Sequence, residues 1–397
     1  MRLIGTSAFG IRLPIISSGD DLVPLVADHV IKVTEQQKNP LSPGDIVAVT
    51  ESMVAKAESN FIDISDIAAD VRAKFPGGEA GLVYPMLSRN RFLNILKGIA
   101  AGVEKLHILL SYPHDEVGNP VMDIDKLDEV EDFFNLRLMQ DYDTLVSADD
   151  FREVAGAYKL PFTGVDYVEL YKSVAPHISV YFSNDPRSIL ELTPHILVGE
   201  IHNRFRTRKR LEKTGAQTVY TLSDIMNKSV NGSGFNEKYG VLGSNLSTDT
   251  KLKMFPNDAN GFVKKLKNRF KELAGVAPEV MVYGDGAFKD PVCGIWELAD
   301  PVVSPGHTPR LAGQPSEIKM KLVADTALSG IIGEEKREAV RKMIREKDAN
   351  PQTFREGTTP RIYADLLGSL ADLVSGSGDK GTPVVLIRGY FDSYASD

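Results

Sequence analysis

The sequence predicts a mixed α/β protein of the α+β kind, in which short buried strands and amphipathic helices follow one another irregularly. Three observations carry that class. Apolar runs of strand length stand between turn residues at 45–50, 106–110 and 279–283. Helical spacing recurs between them, as at Leu22, Leu25, Val26, Val30 and Ile31. No period of roughly 20–50 residues repeats, which excludes a solenoid.

Taken in order, residues 2–6 are a candidate first strand. After Pro14 and Ser18-Gly19, Asp20 is positioned to cap a helix over 21–36. Ser42-Pro43-Gly44 is a turn, and the apolar run 45–50 behind it is a buried strand. Residues 53–57 begin the next element. Helical spacing covers 90–103, and 106–110 is again strand. Over 111–194 the texture changes, with acidic stretches at 123–132 and 141–150. This segment is expected to be an inserted, mostly helical subdomain with a solvated acidic face, dividing the main domain into 1–110 and 195–397. Further on, 196–199 is a strand, 204–210 a dense basic run, and 259–273 an amphipathic helix closed by Gly275. Residues 279–283 form a strand ending in Gly284-Asp285-Gly286. Residues 363–374 are helical and 383–387 are strand.

The chain has 397 residues, enough for two or three domains with a sizeable core. Its formal charge of −8 argues against a nucleic-acid partner. The single cysteine, Cys293, cannot build a disulfide framework or a zinc site and suits a reducing compartment; its apolar neighbours suggest a buried thiol. No basic start leads into an apolar run with a cleavage site, so no signal peptide is expected. The apolar runs are too short to span a bilayer. The expectation is a cytoplasmic protein.

Gly376-Ser377-Gly378-Asp379-Lys380-Gly381 matches G-x-G-x-x-G, but it follows a helix and opens a strand, the reverse of a dinucleotide loop. It is a helix-to-strand turn whose amides are able to cradle an anion. No P-loop or H-E-x-x-H occurs. Arg89 and Arg91 near a helix start form a candidate anion site. His114, Asp115 and Glu116, just past a strand, are a candidate metal or acid–base cluster. His202 with Arg204, Arg206 and Arg208 is a candidate phosphate site. Each of these also reads as surface polar sequence. Lys56 reads on composition as an exposed helical lysine. Asp285 reads equally as a turn former or a ligand.

Four segments stand together in order. Leu13-Pro14-Ile15-Ile16 precedes Gly19-Asp20-Asp21-Leu22. Gly44-Asp45-Ile46-Val47 leads to Glu51-Ser52-Met53-Val54-Ala55-Lys56-Ala57-Glu58. Asn260-Gly261 and its helix lead to Val280-Met281-Val282-Tyr283-Gly284-Asp285. Leu322-Val323-Ala324-Asp325 lies upstream of Gly378-Asp379-Lys380-Gly381-Thr382-Pro383-Val384-Val385-Leu386-Ile387-Arg388-Gly389. This set resembles the coenzyme F-420-0:γ-glutamyl ligase family.

The resemblance implies a homodimeric acid–amine ligase using GTP (or ATP) with Mg²⁺ or Mn²⁺. Its substrates would be a small-molecule carboxylate and an amino acid, and it would have no nucleic-acid or membrane partner. By position it implies that Leu13, Pro14, Ile15, Ile16, Glu51, Ser52, Lys56, Asn245, Gly376, Ser377, Gly378 and Asp379 bind nucleotide. Lys56 and Asp285 would be catalytic, with Asp285 and Asp379 holding metal. The chain departs from the family pattern where Leu242 replaces an acid, Gly286 a threonine and Ser377 a glutamate. A non-catalytic binder of nucleotide or phosphometabolite on the same scaffold is therefore the second expectation. A phosphotransferase using the basic run around Arg206 is the third.

Overall fold

The computed structural model describes residues 3–396 apart from 89–90, 117, 139–144, 160–163, 285–286, 290–295, 299–303, 316, 348–361 and 377. The chain opens with β1 (Ser7–Ile11), α1 (Leu22–Gln36), β2 (Ile46–Thr50) and α2 (Glu51–Ala57). β3 (Phe61–Asp63), α3 (Ile64–Lys74), β4 (Glu79–Val83), α4 (Phe92–Gly102) and β5 (Lys105–Leu110) follow. Then come α5 (Leu127–Leu138), β6 (Val146–Ser147), α6 (Ala148–Ala155), α7 (Tyr167–Lys172), β7 (Ile178–Phe182), β8 (His195–Val198), α8 (Arg204–Lys213) and β9 (Thr218–Thr221). β10 (Ser244–Leu246), β11 (Lys251–Met254), α9 (Ala259–Ala274), β12 (Glu279–Tyr283), β13 (Ala287–Lys289), β14 (Trp296–Leu298) and β15 (Gly306–His307) lead to α10 (Met320–Asp325), α11 (Gly333–Glu346), α12 (Tyr363–Ser375) and β16 (Val384–Arg388). The fold is α+β, as predicted. The chain divides into two units, one of residues 1–57, 258–286 and 302–397, the other of 58–257 and 287–301.

The first unit is built on a sheet ordered β1-β16-β2-β12-β15. β2 pairs with β12 in parallel and with β16 antiparallel. Its residues Ile46 to Val49 are wholly buried because both faces are covered. Val47 and Val49 pack with Val26 and Val30 of α1 and Leu266 and Phe270 of α9. Ile46 and Ala48 pack with Leu367 and Ala371 of α12 on the other face. Each buried Val or Ile contributes about 1.5–3 kcal/mol relative to exposure. Gly275 closes α9 in the left-handed conformation. Two expectations shift here. Asp21 caps α1 by accepting from Val23 N, while Asp20 accepts from Ser17 N. The first described strand is Ser7–Ile11 and not 2–6, because Ser7 lies opposite Arg388, the last residue of β16, and residues 3–6 meet no partner strand.

Asp45, at the foot of β2, is buried against Arg388, at the end of β16. The guanidinium Nη2 lies 3.0 Å from Asp45 Oδ2. The same group donates to the carbonyls of Asn39 and Pro40 at 2.9 and 2.6 Å, and Ser42 N donates to Asp45 at 2.8 Å.

The second unit holds a sheet ordered β6-β7-β5-β4-β8-β9, parallel except for β6. One face packs on α3, α4, α6 and α7 through Leu82, Leu106, Ile108 and Val180. The other packs on Ile189 and on Leu211 of α8 through Val83, Leu109 and Val198. A smaller sheet is ordered β10-β11-β3. The expected division at 111 and 194 does not follow this architecture. Residues 111–194 supply β6 and β7 to the same sheet as β5 and β8, and the acidic stretch 123–132 is mostly the 3₁₀ turn and α5 against it. The strand that betrays this is β7, whose residues alternate buried and half-buried.

Beyond β7, Asp185 caps the 3₁₀ turn Pro186–Glu191 by accepting from Arg187 N at 2.8 Å. It also takes the guanidiniums of Arg187 and Arg210, each at 2.9 Å. Burial alone would raise its carboxyl. The hydrogen bonds and charges of Arg187 and Arg210 outweigh that and hold it at about 2.

Two outcomes follow. Arg388→Met leaves the Asp45 charge buried without its cation, and chemical denaturation should show a loss of about 3–5 kcal/mol. Asp185→Asn should cost about 1–2 kcal/mol near neutral pH. Because the folded carboxyl is depressed, its contribution is present above the ordinary aspartate range and is lost as pH falls through about 2. Melting curves of variant and wild type should therefore converge on acidification.

Candidate functional site

One rim of the first unit's sheet gathers most of the residues singled out above. β2 and β12 run parallel with Thr50 opposite Tyr283, so their carboxyl ends lie side by side. β16 runs the other way with Val384 opposite Val49, which brings its amino end to the same rim. β1 ends there too, with Ile11 opposite Val384. The segments leaving this rim are the loop after Ile11, helix α2, the stretch after Tyr283 and the 376–383 connection.

Backbone hydrogen bonds tie these segments together. Leu13 N donates to Gly381 O at 3.3 Å, Thr50 N to Pro383 O at 3.0 Å, and Gly19 N to Ala57 O at 2.9 Å. Thr382 Oγ1 donates to Ser375 O at 2.9 Å. Gly10 lets the β1 ladder pass close to the loop: a Cβ there would lie 2.7 Å from Thr382 Cβ. Gly376 and Gly381 have φ of 63° and 66°, backbone that a side chain would strain. The G-x-G-x-x-G stretch is thus a helix-to-strand connection, as its order in the sequence implied.

The side chains differ in what they present. Leu13 is half-buried on the core and Ile16 is buried, whereas Pro14 and Ile15 are exposed. Glu51 is buried, Ser52 half-buried and Lys56 exposed. Lys56 forms no ion pair with a described residue. Gly378 and Asp379 are exposed, and the Lys380 side chain folds back over Gly376. Asp285, Gly286, Ser377 and Cys293 lie outside the described residues. Tyr283, two positions before Asp285, ends its strand beside Thr50, which leads directly into Glu51. Among the described residues no three His, Cys, Asp or Glu side chains are placed to hold one metal ion. The described donors therefore do not make a metal site by themselves.

Asn245 belongs to the second unit, where it stands opposite Lys253 in the β10–β11 ladder. Leu242 is buried in a 3₁₀ turn of that unit and packs in its core, so the acid's place is taken by a packing residue.

A model of the F420-0:gamma-glutamyl ligase family matches residues 10–389. The chain belongs to that family. No curated protein matches it. In this γ-glutamyl ligase family member, residues 13–16, 51–57, 280–284 and 378–389 of those segments belong to the first unit's sheet or its rim, whereas 322–325 lie in α10 and Glu58 begins the second unit. No helix among the described residues is long and apolar enough to cross a membrane.

The other clusters resolve differently. Arg89 and Asn90 lie outside the described residues, and Arg91 N donates to Ser88 Oγ at 3.2 Å. Of the basic run, Arg208 is paired with Glu212 and Asp224, and Arg210 with Asp185. Arg204 donates to Ile201 O. Arg208 is therefore held by carboxylates and is not part of an open phosphate site. The 114–116 cluster does not assemble a metal site among the described residues. Instead Glu116 accepts the backbone amides of Ile201 and His202, joining two regions that sequence spacing could not connect.

Gly10→Ala should push Thr382 out of register with the rim and lower stability by about 1–3 kcal/mol. Thermal melts should show the loss, and Thr382→Gly in the same chain should recover much of it.

Proposed function

We propose that the chain joins an amino acid to a carboxylate substrate through an acyl phosphate made with GTP. The carboxylate oxygen bonds to the γ-phosphorus and GDP leaves. The amine then attacks the acyl carbon, phosphate leaves with the bonding pair, and the amine's proton passes to solvent or a base. Membership of the γ-glutamyl ligase family supports the bond type. The observation that carries the nucleotide site is the common rim: 13–16, 51–56 and 376–379 leave the same end of one sheet.

Each part has a physical task. Exposed Pro14 and Ile15 offer apolar surface for a base. Lys56, exposed on α2, supplies a compact ammonium suited to phosphate. The 376–381 connection, with Gly376 and Gly381 at positive φ, is the proposed cradle for the phosphate anion. Magnesium or manganese enters with the nucleotide as part of the substrate, and Asp285 and Asp379 are its proposed contacts.

A non-catalytic binder is the second reading, favoured by the burial of Leu242 where the family pattern has an acid. The phosphotransferase reading loses its basis, since Arg208 and Arg210 beside Arg206 are held by carboxylates.

GTP with Mg²⁺ or Mn²⁺ should raise the melting temperature of the purified protein through mass action. Lys56→Ala should weaken that binding about tenfold or more, worth about 1.4 kcal/mol. Phosphate release that requires both a carboxylate and an amino acid supports the ligase. Nucleotide binding with no such release supports the binder, and no response to GTP or ATP with either metal defeats both.

A further inference from the structure

The second unit has a cavity of its own. Its parallel strands are ordered β7-β5-β4-β8-β9, so the direction in which the chain crosses the sheet reverses between β4 and β8. In open sheets of this kind, connections diverge at the reversal and leave a crevice beyond the strands' carboxyl ends, where ligands bind. A cavity of about 220 Å³ lies there, with Tyr84 after β4, Ser111 and Glu116 after β5, and Glu200 and Asn203 after β8 in its lining. Main chain closes in beside it: Gly199 N donates to Val83 O at 2.7 Å, and a Cβ at 199 would lie 2.8 Å from Pro85 Cα. Tyr84 has a left-handed φ of 49° without being glycine, and its hydroxyl donates to Ser183 O at 3.0 Å. Such strain persists only where the surroundings over-determine it.

The charge of the lining selects the ligand. Asp115, Glu116 and Glu200 all face the cavity. Asp115 accepts the backbone and side-chain amides of Asn119 at 2.8 and 3.0 Å. Glu116 is held by Ile201 N and His202 N at 2.9 and 3.0 Å. Glu200 is only 3% exposed, and its Oε1 has no hydrogen-bond partner among the described residues. Burial pushes its carboxyl up and the Glu116 charge adds to this, while the Thr207 hydrogen bond and the charges of Arg210 and Arg206 oppose it. Arg187 and Arg210 nearby are taken by Asp185.

A phosphate or carboxylate would meet this negative lining unfavourably. The β4 turn reads Tyr84-Pro85-Met86-Leu87, without the glycines that let main chain approach a pyrophosphate. No set of three described side chains suits a metal ion. What remains is a cation that donates hydrogen bonds.

We propose that this cavity binds a small molecule through its primary ammonium group, with Glu200 as the acceptor. An ammonium carries three donors and the charge the lining lacks. The cavity's 220 Å³ falls below the roughly 300–1,000 Å³ of drug-sized sites, so the occupant is compact. The proposal is independent of the ligase reading and is tested without nucleotide.

Isothermal titration of the full chain with ethanolamine, putrescine and L-alanine should find at least one amine that binds, while N-acetylethanolamine, which lacks the ammonium, does not. Glu200→Gln keeps the side chain's shape and should weaken that amine about tenfold or more. Asn203→Tyr, at an exposed position on the rim, should block entry without touching the core. Unchanged melting of both variants reports that they fold. Silence from all three amines, equal binding of N-acetylethanolamine, or full affinity in Glu200→Gln would overturn the proposal.

Discussion

The strand Ile46–Thr50 is hydrogen-bonded on both edges and apolar on both faces. A slip of one residue would not expose a polar face to correct it, so pattern alone cannot set its register. The Asp45–Arg388 pair does so at one end. It ties the foot of β2 to the last residue of β16, with three further hydrogen bonds around it. With that register set, the other end of the sheet is determined as well. Thr50, Tyr283, Pro383 and Ile11 finish together, and the segments that carry the family pattern leave from that line.

The two units present opposite chemistry. The rim of the first offers an exposed lysine and two glycines at positive φ, which suits the proposed polyanion. The crevice of the second offers the buried Glu200 and the half-buried Asp115 and Glu116, with Arg210 already paired, which suits a cation. Both arise from the same rule: at the ends of strands, main chain stops pairing and side chains at loop positions are free to face a ligand. The difference lies in which residues the sequence places there.

Much of the first unit could be read from the chain. Residues 279–283 read as a strand through the apolar run Val280–Tyr283, and 259–273 as a helix by spacing and its closing glycine; both stand nearly as read. The second unit was harder for identifiable reasons. β4 contains Gly81, which weakens a strand pattern, yet a Cβ there would lie 2.7 Å from Ile189, so the glycine serves close packing. β7 alternates properly but falls within 111–194, a segment whose acidic stretches at 123–132 and 141–150 point to surface helices. The contact of Glu116 with Ile201 spans 85 positions, and no local pattern announces a pairing at that range. Lys56 was placed by family pattern, since its spacing is that of any exposed helical lysine.

The first unit is interrupted by nearly all of the second, and this has a consequence during synthesis. Asp45 and Arg388 are 343 positions apart. At a translation rate of roughly 5–20 residues per second, β2 leaves the ribosome on the order of tens of seconds before β16 exists. Residues 58–257, by contrast, emerge as one stretch and hold every strand of the β6-β7-β5-β4-β8-β9 sheet. When residue 257 has emerged, the nascent chain therefore carries most of the inner unit while β2 still has two open edges. A chain cut short before β16 would keep a folded middle, but its β2 would be paired along one edge only, with β12.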